Sequence, residues 1–349
     1  MAGSGTVHLR REDDILLNVE NLVVEFSVDR KTLHAVSNVS FDIRKGETVG
    51  LVGESGCGKS TTGRAIVQMP RPTSGSIVFD GVDLSSLKGE ELRQIRPRIQ
   101  MIFQDPIASL NPRRKVADIV AEPLVAWGKK KGAERKEQVR EMFDAVGLDY
   151  DSVGTWRPHQ FSGGQCQRIS IARALVLDPD LLICDEPVSA LDVSVQAQIL
   201  NLLHEMKERY GLTLLFISHD LAVVKNVSDR VVVIYLGKVC EVGPPQELYE
   251  LPHHPYTRLL LSSVPVADPD VPAKGKAVAG GREFPSAINP PSGCRFRTRC
   301  PRALARCAQE EPEVRQVGDG HYVACHFPVD GPMDLTSAPA PAPAPAVGT

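Results

Sequence analysis

One octapeptide constrains the fold of this chain more than any other stretch. Residues 53–60 are Gly-Glu-Ser-Gly-Cys-Gly-Lys-Ser, the G-x-x-x-x-G-K-S pattern of a phosphate-binding loop. Residues 47–52 before it have the composition of a short buried strand, and residues 61–67 after it can continue as a helix. In that setting, backbone N–H groups and the positive end of a helix can surround a phosphate. We expect Lys59 to reach the β- and γ-phosphates and Ser60 to bind Mg²⁺, a chance glycine-rich turn being the alternative.

The bulk composition is that of a soluble globular protein. The 349 residues are 42% hydrophobic and 24% charged, and the net charge of -3 argues against a nucleic-acid binder, which usually carries a basic excess. No apolar run is long enough to span a membrane, and residues 1–14 lack the apolar core of a signal peptide. We therefore expect a cytosolic protein whose link to any membrane comes through a partner.

Strand-like and helix-like segments alternate along most of the chain, which predicts an α/β fold with a largely parallel sheet. Besides the strand before the loop, the predicted strands are residues 15–26, 36–43, 75–81, 99–103, 181–184, 212–218 and 231–236. Residues 111–174 have a mainly helical pattern, clearest at 116–127 and 134–146, and predict a helical subdomain inserted in the core. A helical spacing of apolar residues predicts a core-facing stripe at Val195, Ile199, Leu202, Met206 and Tyr210.

Two carboxylates end one of the predicted strands. Four apolar residues precede Asp185 and Glu186. A carboxylate at the tip of a buried strand can hold Mg²⁺, and a second one beside it can polarise an attacking water. The alternative is a strand that simply ends in acidic residues.

A second glycine-containing motif opens a predicted helix. Residues 162–165 are Ser-Gly-Gly-Gln and lead into a helix at 166–177. Small residues at that place expose N–H groups and the positive helix end to an anion. The alternative is an ordinary glycine-rich helix cap.

These motifs occur in an order typical of one family. Along the chain come the phosphate loop, Gln104 after a strand, residues 162–165, Asp185-Glu186, Ser-Ala-Leu-Asp at 189–192, and His219. Over residues 15–251 the chain resembles the nucleotide-binding subunit of ATP-binding cassette (ABC) transporters. The resemblance implies an α/β fold of the P-loop NTPase, ABC cassette type. Its parts would be a mostly parallel core sheet, an antiparallel β subdomain, an inserted helical subdomain and a small cysteine-rich C-terminal extension.

The resemblance also implies a role for each matching residue. The implied ATP-binding residues are Phe26, Gly53, Glu54, Ser55, Gly56, Cys57, Gly58, Lys59, Ser60, Thr61, Ser162, Gly163, Gly164, Gln165 and Asp192. Phe26 would stack on adenine, or would be plain strand core. Ser60, Gln104 and Asp185 would hold or sense Mg²⁺. Glu186 would be the general base, and His219 would contact the γ-phosphate. Cys57 stands where serine is frequent, which predicts intact phosphate binding together with sensitivity to thiol reagents.

One cassette carries one copy of each part, so the resemblance implies a working unit of two cassettes. Two ATP molecules would lie between the phosphate loop of one cassette and residues 162–165 of the other. The implied partners are a second, related but non-identical ABC ATPase subunit, two transmembrane permease subunits and an extracytoplasmic peptide-binding protein, with no nucleic acid. The chain would lie at the cytoplasmic face of the plasma (cell inner) membrane.

The C-terminal part narrows the subfamily. Residues 254–260 (His-Pro-Tyr-Thr-Arg-Leu-Leu), 105–106 and 109–113 resemble the ATPases of oligopeptide/dipeptide importers, although nickel importers share parts of these motifs. The implied function is ATP hydrolysis that powers di-/oligopeptide import. The alternatives are the ATPase of a nickel or other small-solute importer, a soluble non-transport ABC ATPase, and a cluster-bearing regulatory module.

The expected domain boundaries follow from these motifs and from composition. They are a flexible N-terminus at 1–14, the cassette at 15–251 with its helical subdomain at about 111–174, the C-terminal extension at 252–330 and a disordered Pro/Ala tail at 331–349.

Four of the eight cysteines cluster near the C-terminus, namely Cys294, Cys300, Cys307 and Cys325. Disulfides are rare in cytosolic proteins, whereas four thiolates suit either Zn²⁺ or an iron–sulfur cluster. The spacing matches neither common pattern. The resemblance to peptide-importer ATPases favours a 4Fe–4S cluster over zinc or no metal. His321 and His326 flank Cys325 and are either substitute ligands or solvated residues.

Overall fold

The computed structural model describes residues 5–263 and 284–331. The disordered tail expected at 331–349 lies outside the described residues apart from Gly331, as do residues 1–4 and 264–283. Among the helices within the two described ranges, none is both long and apolar enough to cross a membrane.

The strands agree with the sequence prediction at every predicted position, and the structure adds four more, β5 and β10 to β12. In chain order they are β1 (Ile15–Val28), β2 (Lys31–Arg44), β3 (Thr48–Val52), β4 (Ser74–Phe79), β5 (Val82–Asp83), β6 (Ile99–Ile102), β7 (Leu181–Asp185), β8 (Thr213–Ser218), β9 (Arg230–Tyr235), β10 (Lys238–Gly243), β11 (Arg315–Gly318) and β12 (His321–Val323).

The helices likewise include each one predicted from the apolar pattern. In chain order they are α1 (Lys59–Ile66), α2 (Gly89–Ile95), α3 (Val116–Ala126), α4 (Gly132–Ala145), α5 (Tyr150–Val153), α6 (Gly163–Leu175), α7 (Val193–Tyr210), α8 (Leu221–Val227), α9 (Pro245–Glu250), α10 (Pro255–Ser262) and α11 (Ala305–Gln309). Short 3-10 turns occur at Arg96–Arg98 and Pro158–Gln160.

The described chain divides into two compact units. Unit 1 comprises the described residues of 1–42, 49–85 and 219–349, and unit 2 comprises residues 43–48 and 86–218. In unit 1, one sheet has the strand order β2-β1-β4-β5, with β4 antiparallel to both β1 and β5. These two antiparallel pairs lie where the family resemblance implied an antiparallel β subdomain.

The second sheet of unit 1 carries the phosphate loop. Its strands are neighbours in the order β11-β12-β10-β9-β3, and β3 runs parallel to β9 with Leu51 opposite Val232. The other pairs are antiparallel. All residues of β3 and β9 are buried, which explains why both are continuous apolar runs without alternation.

Unit 2 is built on three parallel strands in the order β8-β7-β6, with Ile183 of β7 opposite Met101 and Leu215. Helices α3 to α6 occupy the stretch predicted to be helical. In α7 the predicted stripe is buried at Ile199, Leu202 and Met206 and half-buried at its two ends, Val195 and Tyr210.

The N-terminal segment differs from the flexible stretch expected at 1–14. The His8 ring is buried and its Nε2 lies 2.8 Å from the carbonyl oxygen of Ser40. Arg10 donates from Nε to the fully buried Asp42 at 2.7 Å, and Arg230 reaches the same carboxylate at 3.0 Å. A buried carboxylate needs cationic partners, and residues 8–10 are held because they supply one. The sequence gives no local signal for this contact, since the partners are 32 positions apart.

Candidate functional site

The phosphate loop connects the end of β3 to the start of α1, as the motif requires. Gly58 precedes α1 with φ of 102°, and a Cβ there would lie 2.3 Å from the carbonyl oxygen of Ala35. A Cβ at Gly53 would lie 2.1 Å from the carbonyl oxygen of Ile234. Both positions therefore accept only glycine, because at these two points the backbone of the loop runs directly against neighbouring carbonyl oxygens.

Lys59 lies at the centre of this loop. Its side chain is 3% exposed, and Nζ donates to the carbonyl oxygens of Gly53 at 2.8 Å and Glu54 at 3.0 Å. The ammonium is thus held beside the first turn of α1, where the helix end carries partial positive charge. Ser60 and Thr61 in that turn are half-buried, whereas Ser55 and Gly56 are exposed. Positive charge and backbone donors together suit a polyphosphate.

Cys57 forms part of the inner wall of the loop. Its side chain is 1% exposed, and burial raises the pKa of the thiol. The thiolate is the reactive form of cysteine. The predicted sensitivity of the loop to thiol reagents is therefore reduced by the fold, because the thiol is both inaccessible and protonated.

The two carboxylates predicted at a strand end are found at the C-terminal end of β7 in unit 2. Asp185 is fully buried and Glu186 is 8% exposed. Gln104, which follows β6, donates from Nε2 to Oε2 of Glu186 at 3.2 Å. Because β6 and β7 are parallel, their carboxyl ends meet at one edge and bring these side chains together.

The backbone of Glu186 is in the left-handed region, with φ of 48°. Its N–H donates to the carbonyl oxygen of Ile217 at 2.9 Å, and its own carbonyl accepts from the Ser189 hydroxyl at 3.1 Å. This conformation costs about 1 kcal/mol for a residue with a side chain. The hydrogen bonds hold it, and they fix the direction of the Glu186 side chain.

The Ser-Gly-Gly-Gln motif forms the N-terminus of α6 in unit 2. Ser162 Oγ accepts from the N–H of Gln165 at 3.3 Å, and Gln165 Oε1 accepts from the N–H of Ser162 at 3.0 Å. This is a reciprocal capping box, and both side chains are exposed. A Cβ at Gly164 would lie 2.5 Å from Cγ1 of Val195, so that glycine permits α7 to pack closely.

Three predicted site residues lie outside the motifs described so far. Phe26 is half-buried in β1 and is not one of the fully buried core residues of unit 1. His219 is exposed directly after β8 and belongs to unit 1 with the phosphate loop. Asp192 is exposed directly before α7 in unit 2.

The four C-terminal cysteines line one cavity in unit 1. Cys294, Cys300, Cys307 and Cys325 share its wall with His254, Phe296 and His326. All four are free thiols. Burial raises the pKa of Cys294 to about 12 and that of Cys300 to about 11.

Three further observations bear on metal binding there. Within residues 5–263 and 284–331, no set of three or more His, Cys, Asp or Glu side chains is grouped tightly enough to hold a metal ion. His321 does not line this cavity, and its buried ring instead lies 2.8 Å from Glu241 Oε1. Cys240, which is not one of the four clustered cysteines, lines an adjoining cavity together with Cys294.

Comparison with known proteins identifies the family. Residues 36–189 match the profile described as ABC transporter, and residues 240–307 match the one described as oligopeptide/dipeptide transporter, C-terminal region. AppF of Bacillus subtilis, named an oligopeptide transport ATP-binding protein, is 53% identical over 294 residues, which are 84% of this chain and 89% of AppF. OppF of Salmonella typhimurium, named likewise, is 50% identical over 321 residues, covering 89% of this chain and 96% of OppF. The chain belongs to the ABC transporter family.

Solved structures show the same cassette fold for this ABC transporter ATPase. The ATP-binding cassette MJ0796, solved as a dimer in a post-hydrolysis state with ADP and Pi, has a TM-score of 0.60 at 30% identity, covering 66% of this chain and 98% of that chain. The cbiO1 protein from Clostridium perfringens, part of the ABC transporter complex cbiONQ, has a TM-score of 0.61 at 30% identity, covering 68% and 91%. The chain is therefore a P-loop NTPase of the ABC cassette type with mixed α/β sheets.

The profile match covers most, but not all, of the predicted site of this ABC transporter ATPase. The range 36–189 includes the phosphate loop, Gln104, the 162–165 motif and the two strand-end carboxylates. Phe26, Asp192 and His219 lie outside it. The second range, 240–307, includes three of the four clustered cysteines and ends before Cys325.

Two residues that the sequence analysis did not assign contact the phosphate loop of the ATPase. Arg299 pairs with the carboxylate of Glu54 through two hydrogen bonds of 2.6 and 2.9 Å. The hydroxyl of Tyr256 accepts from the N–H of Glu54 at 2.8 Å. Both residues belong to the C-terminal region. In the sequence, Tyr256 lies within the 254–260 motif, and Arg299 is marked only by its position next to Cys300.

Proposed function

We propose that this ABC transporter ATPase hydrolyses ATP to power the import of di-/oligopeptides. The observation that carries the proposal is the coincidence, in one chain, of a complete phosphate loop around Lys59 with the oligopeptide/dipeptide transporter C-terminal region. Relatives named for oligopeptide transport match nearly the whole chain at about half identity, which supports peptides over nickel or a soluble, non-transport role.

In this proposal the loop residues 53–61 bind the ATP phosphates. Lys59 supplies the ammonium for the β- and γ-phosphates, and the first turn of α1 supplies backbone donors. Phe26 stacks on the adenine ring, and its half-buried position in β1 leaves part of the ring accessible. His219, exposed after β8, contacts the γ-phosphate.

Glu186 acts as the general base for the attacking water, and Gln104 orients it. The support is the 3.2 Å contact between Gln104 Nε2 and Glu186 Oε2 together with the near-complete burial of both strand-end carboxylates. Ser60, Gln104 and Asp185 provide hydroxyl, amide and carboxylate oxygens, which are the donors that Mg²⁺ prefers. When bound, Mg²⁺ neutralises charge that develops on the phosphate oxygens.

The exposed capping box at residues 162–165 and the exposed Asp192 face the ATP held by a second cassette. Support comes from the accessible side chains of Ser162 and Gln165 at the N-terminus of a helix of 13 residues. The second cassette is a related, non-identical ABC ATPase subunit. ATP binding closes the pair, closure moves the permeases, and hydrolysis resets it.

The remaining partners follow from the same proposal. Two transmembrane permease subunits form the path, and an extracytoplasmic peptide-binding protein delivers the peptide. The chain then lies at the cytoplasmic face of the plasma membrane, attached through the permeases. Its cassette spans 15–251, its helices between 111 and 174 form the inserted helical subdomain, and 252–330 is the cysteine-bearing extension.

We further propose that the cysteine-lined cavity holds a 4Fe–4S cluster. Four thiols around one cavity are the donor set that such a cluster uses. Four cysteine thiolates also suit a single Zn²⁺, which is the alternative occupant of the cavity. When bound, the cluster or metal ties four separate chain positions together and so stabilises the extension.

Metal analysis tests the cluster. Protein purified without oxygen should contain about four iron and four acid-labile sulfide per chain, and Cys294→Ser should lower both. A finding of one equivalent of zinc without iron would overturn the cluster and assign a zinc site instead. A finding of no metal would overturn both assignments.

Transport measurements test the function. Detergent-solubilised protein should co-purify with two permeases and a second cassette, and cells without the chain should lose uptake of a labelled tripeptide. Returning the wild-type chain to these cells should restore tripeptide uptake, whereas the Lys59→Ala variant should not restore it. Loss of radioactive nickel uptake with unchanged peptide uptake would assign the chain to a nickel importer instead.

A further inference from the structure

Glu54 of the phosphate loop makes hydrogen bonds through both its side chain and its backbone. Its carboxylate pairs with both Nη atoms of Arg299, and its N–H donates to the Tyr256 hydroxyl. Its carbonyl oxygen accepts from Lys59 Nζ at 3.0 Å and from the N–H of Cys57 at 3.3 Å. The residue that helps to orient the phosphate-binding ammonium is therefore itself fixed by the C-terminal region.

The ion pair of Arg299 with Glu54 has a fixed geometry, unlike a loose ion pair at the protein surface. Its side chain is 7% exposed, against 30% for Glu54, and the pair is bidentate. Its guanidinium also lies 5.7 Å from the ring centre of Tyr235 and 6.0 Å from that of Phe296. A planar guanidinium held by aromatic rings and a carboxylate loses few conformations on pairing, so the contact is stronger than an exposed ion pair.

Tyr256 is fixed by the same aromatic group. Its ring is fully buried, 4.6 Å from the ring of Tyr235 and 5.4 Å from that of Phe296. The start of α10, which carries it, is tied to the buried Glu241 through the N–H groups of His253 and His254. The Tyr256 hydroxyl that contacts Glu54 is therefore held by a well-packed part of the C-terminal region.

We infer that Arg299, assisted by Tyr256, is a positioning residue for the nucleotide: it holds and neutralises Glu54, and so fixes the loop that presents Lys59 to the triphosphate. The inference rests on the proposed binding of ATP at this loop. Without Arg299, the Glu54 carboxylate is left uncompensated beside the phosphate site, and like charge weakens binding of a polyanion. Arg299 also directly precedes Cys300, so the cysteine-lined cavity begins one residue from this contact.

Nucleotide titration of the full chain tests the inference. The probe is the Mg²⁺ complex of a non-hydrolysable ATP analogue with an imido bridge between the β- and γ-phosphates. Arg299→Met should weaken binding about tenfold, and Arg299→Lys, which keeps the charge but not the bidentate fork, about threefold. In steady-state assays KM for ATP should rise while kcat changes little.

A double-mutant cycle shows whether Arg299 acts through Glu54. In a Glu54→Gln background, Arg299→Met should cost no further affinity, because no carboxylate remains to be held or neutralised. Arg306→Met is the matched control, since Arg306 pairs with Glu310 at the surface of the same region with both side chains more than half exposed. It should bind the analogue like the wild type.

The outcomes separate the inference from the proposed function. Equal affinity of Arg299→Met and wild type, or a full loss that persists in the Glu54→Gln background, overturns the inference and leaves the function intact. A wild-type chain that binds no analogue overturns the proposed function itself. Thermal unfolding without nucleotide shows whether Arg299→Met folds. If it does not, the inference is tested with Arg299→Lys, alone and in the Glu54→Gln background.

Discussion

Replacing Glu186 by glutamine separates hydrolysis from nucleotide binding. The Glu186 side chain is 8% exposed and its Oε2 lies 3.2 Å from Gln104 Nε2. Glutamine has the same shape and keeps an acceptor oxygen for Gln104, but its amide cannot take a proton from water. A positioned general base contributes about 100-fold to 10,000-fold, so kcat should fall about 1000-fold, which corresponds to about 4 kcal/mol in the barrier.

Binding and folding should change little in the same variant. Triphosphate binding is assigned to Lys59 and the loop, so the affinity for ATP should stay within about threefold of the wild type. The left-handed backbone at position 186 strains glutamine as much as glutamate, so the unfolding temperature should also be retained. ATP-bound, paired cassettes should accumulate because the step that separates them is slowed.

The assay is phosphate release at saturating ATP, with sedimentation of the complex in the presence of ATP. Glu122→Gln is the matched control, since Glu122 is exposed on α3 and pairs only at the surface with Arg114 in the described residues. A Glu186→Gln variant that keeps more than about a tenth of the wild-type kcat would refute the assignment of the base.

Three further predictions follow from single side chains. Lys59→Ala should weaken ATP binding at least about 100-fold by calorimetry, because the ammonium at the centre of the loop is lost; normal affinity would contradict the loop assignment. N-ethylmaleimide should label the buried Cys57, whose pKa is raised by burial, at least about tenfold more slowly than a cysteine introduced at the exposed Ser55, as followed by mass spectrometry. Burial lowers the pKa of His8 below its ordinary value of 6.5, so the folded state keeps the ring neutral while the unfolded state binds a proton as pH falls through 6.5. As the pH is lowered from 6.5, the free energy of unfolding should therefore fall by up to about 1.4 kcal/mol per pH unit relative to that of His8→Asn. Parallel pH profiles of the two proteins would exclude this linkage.

Much of the site could be predicted because its chemistry is local in sequence. The strand, loop and helix around residues 53–60 need only the residues they contain, and the capping box at 162–165 satisfies its own helix end. Parallel strands also place their carboxyl ends at one edge, so Gln104 and Glu186 could be expected to meet although they are 82 positions apart.

The sequence by itself thus determined the order of the motifs and the strand-end carboxylates, since periodicity and short motifs encode them directly, and the family resemblance that those motifs carry implied the cassette. Only the tertiary structure decided why Gly53 and Gly58 must be glycine, because the oxygens that exclude a Cβ belong to Ile234 and Ala35. It alone decided that four cysteines line one cavity and that Arg299 meets Glu54 across 245 positions. Contacts of that range depend on how buried aromatic and charged groups are packed, and no periodicity along the chain records them.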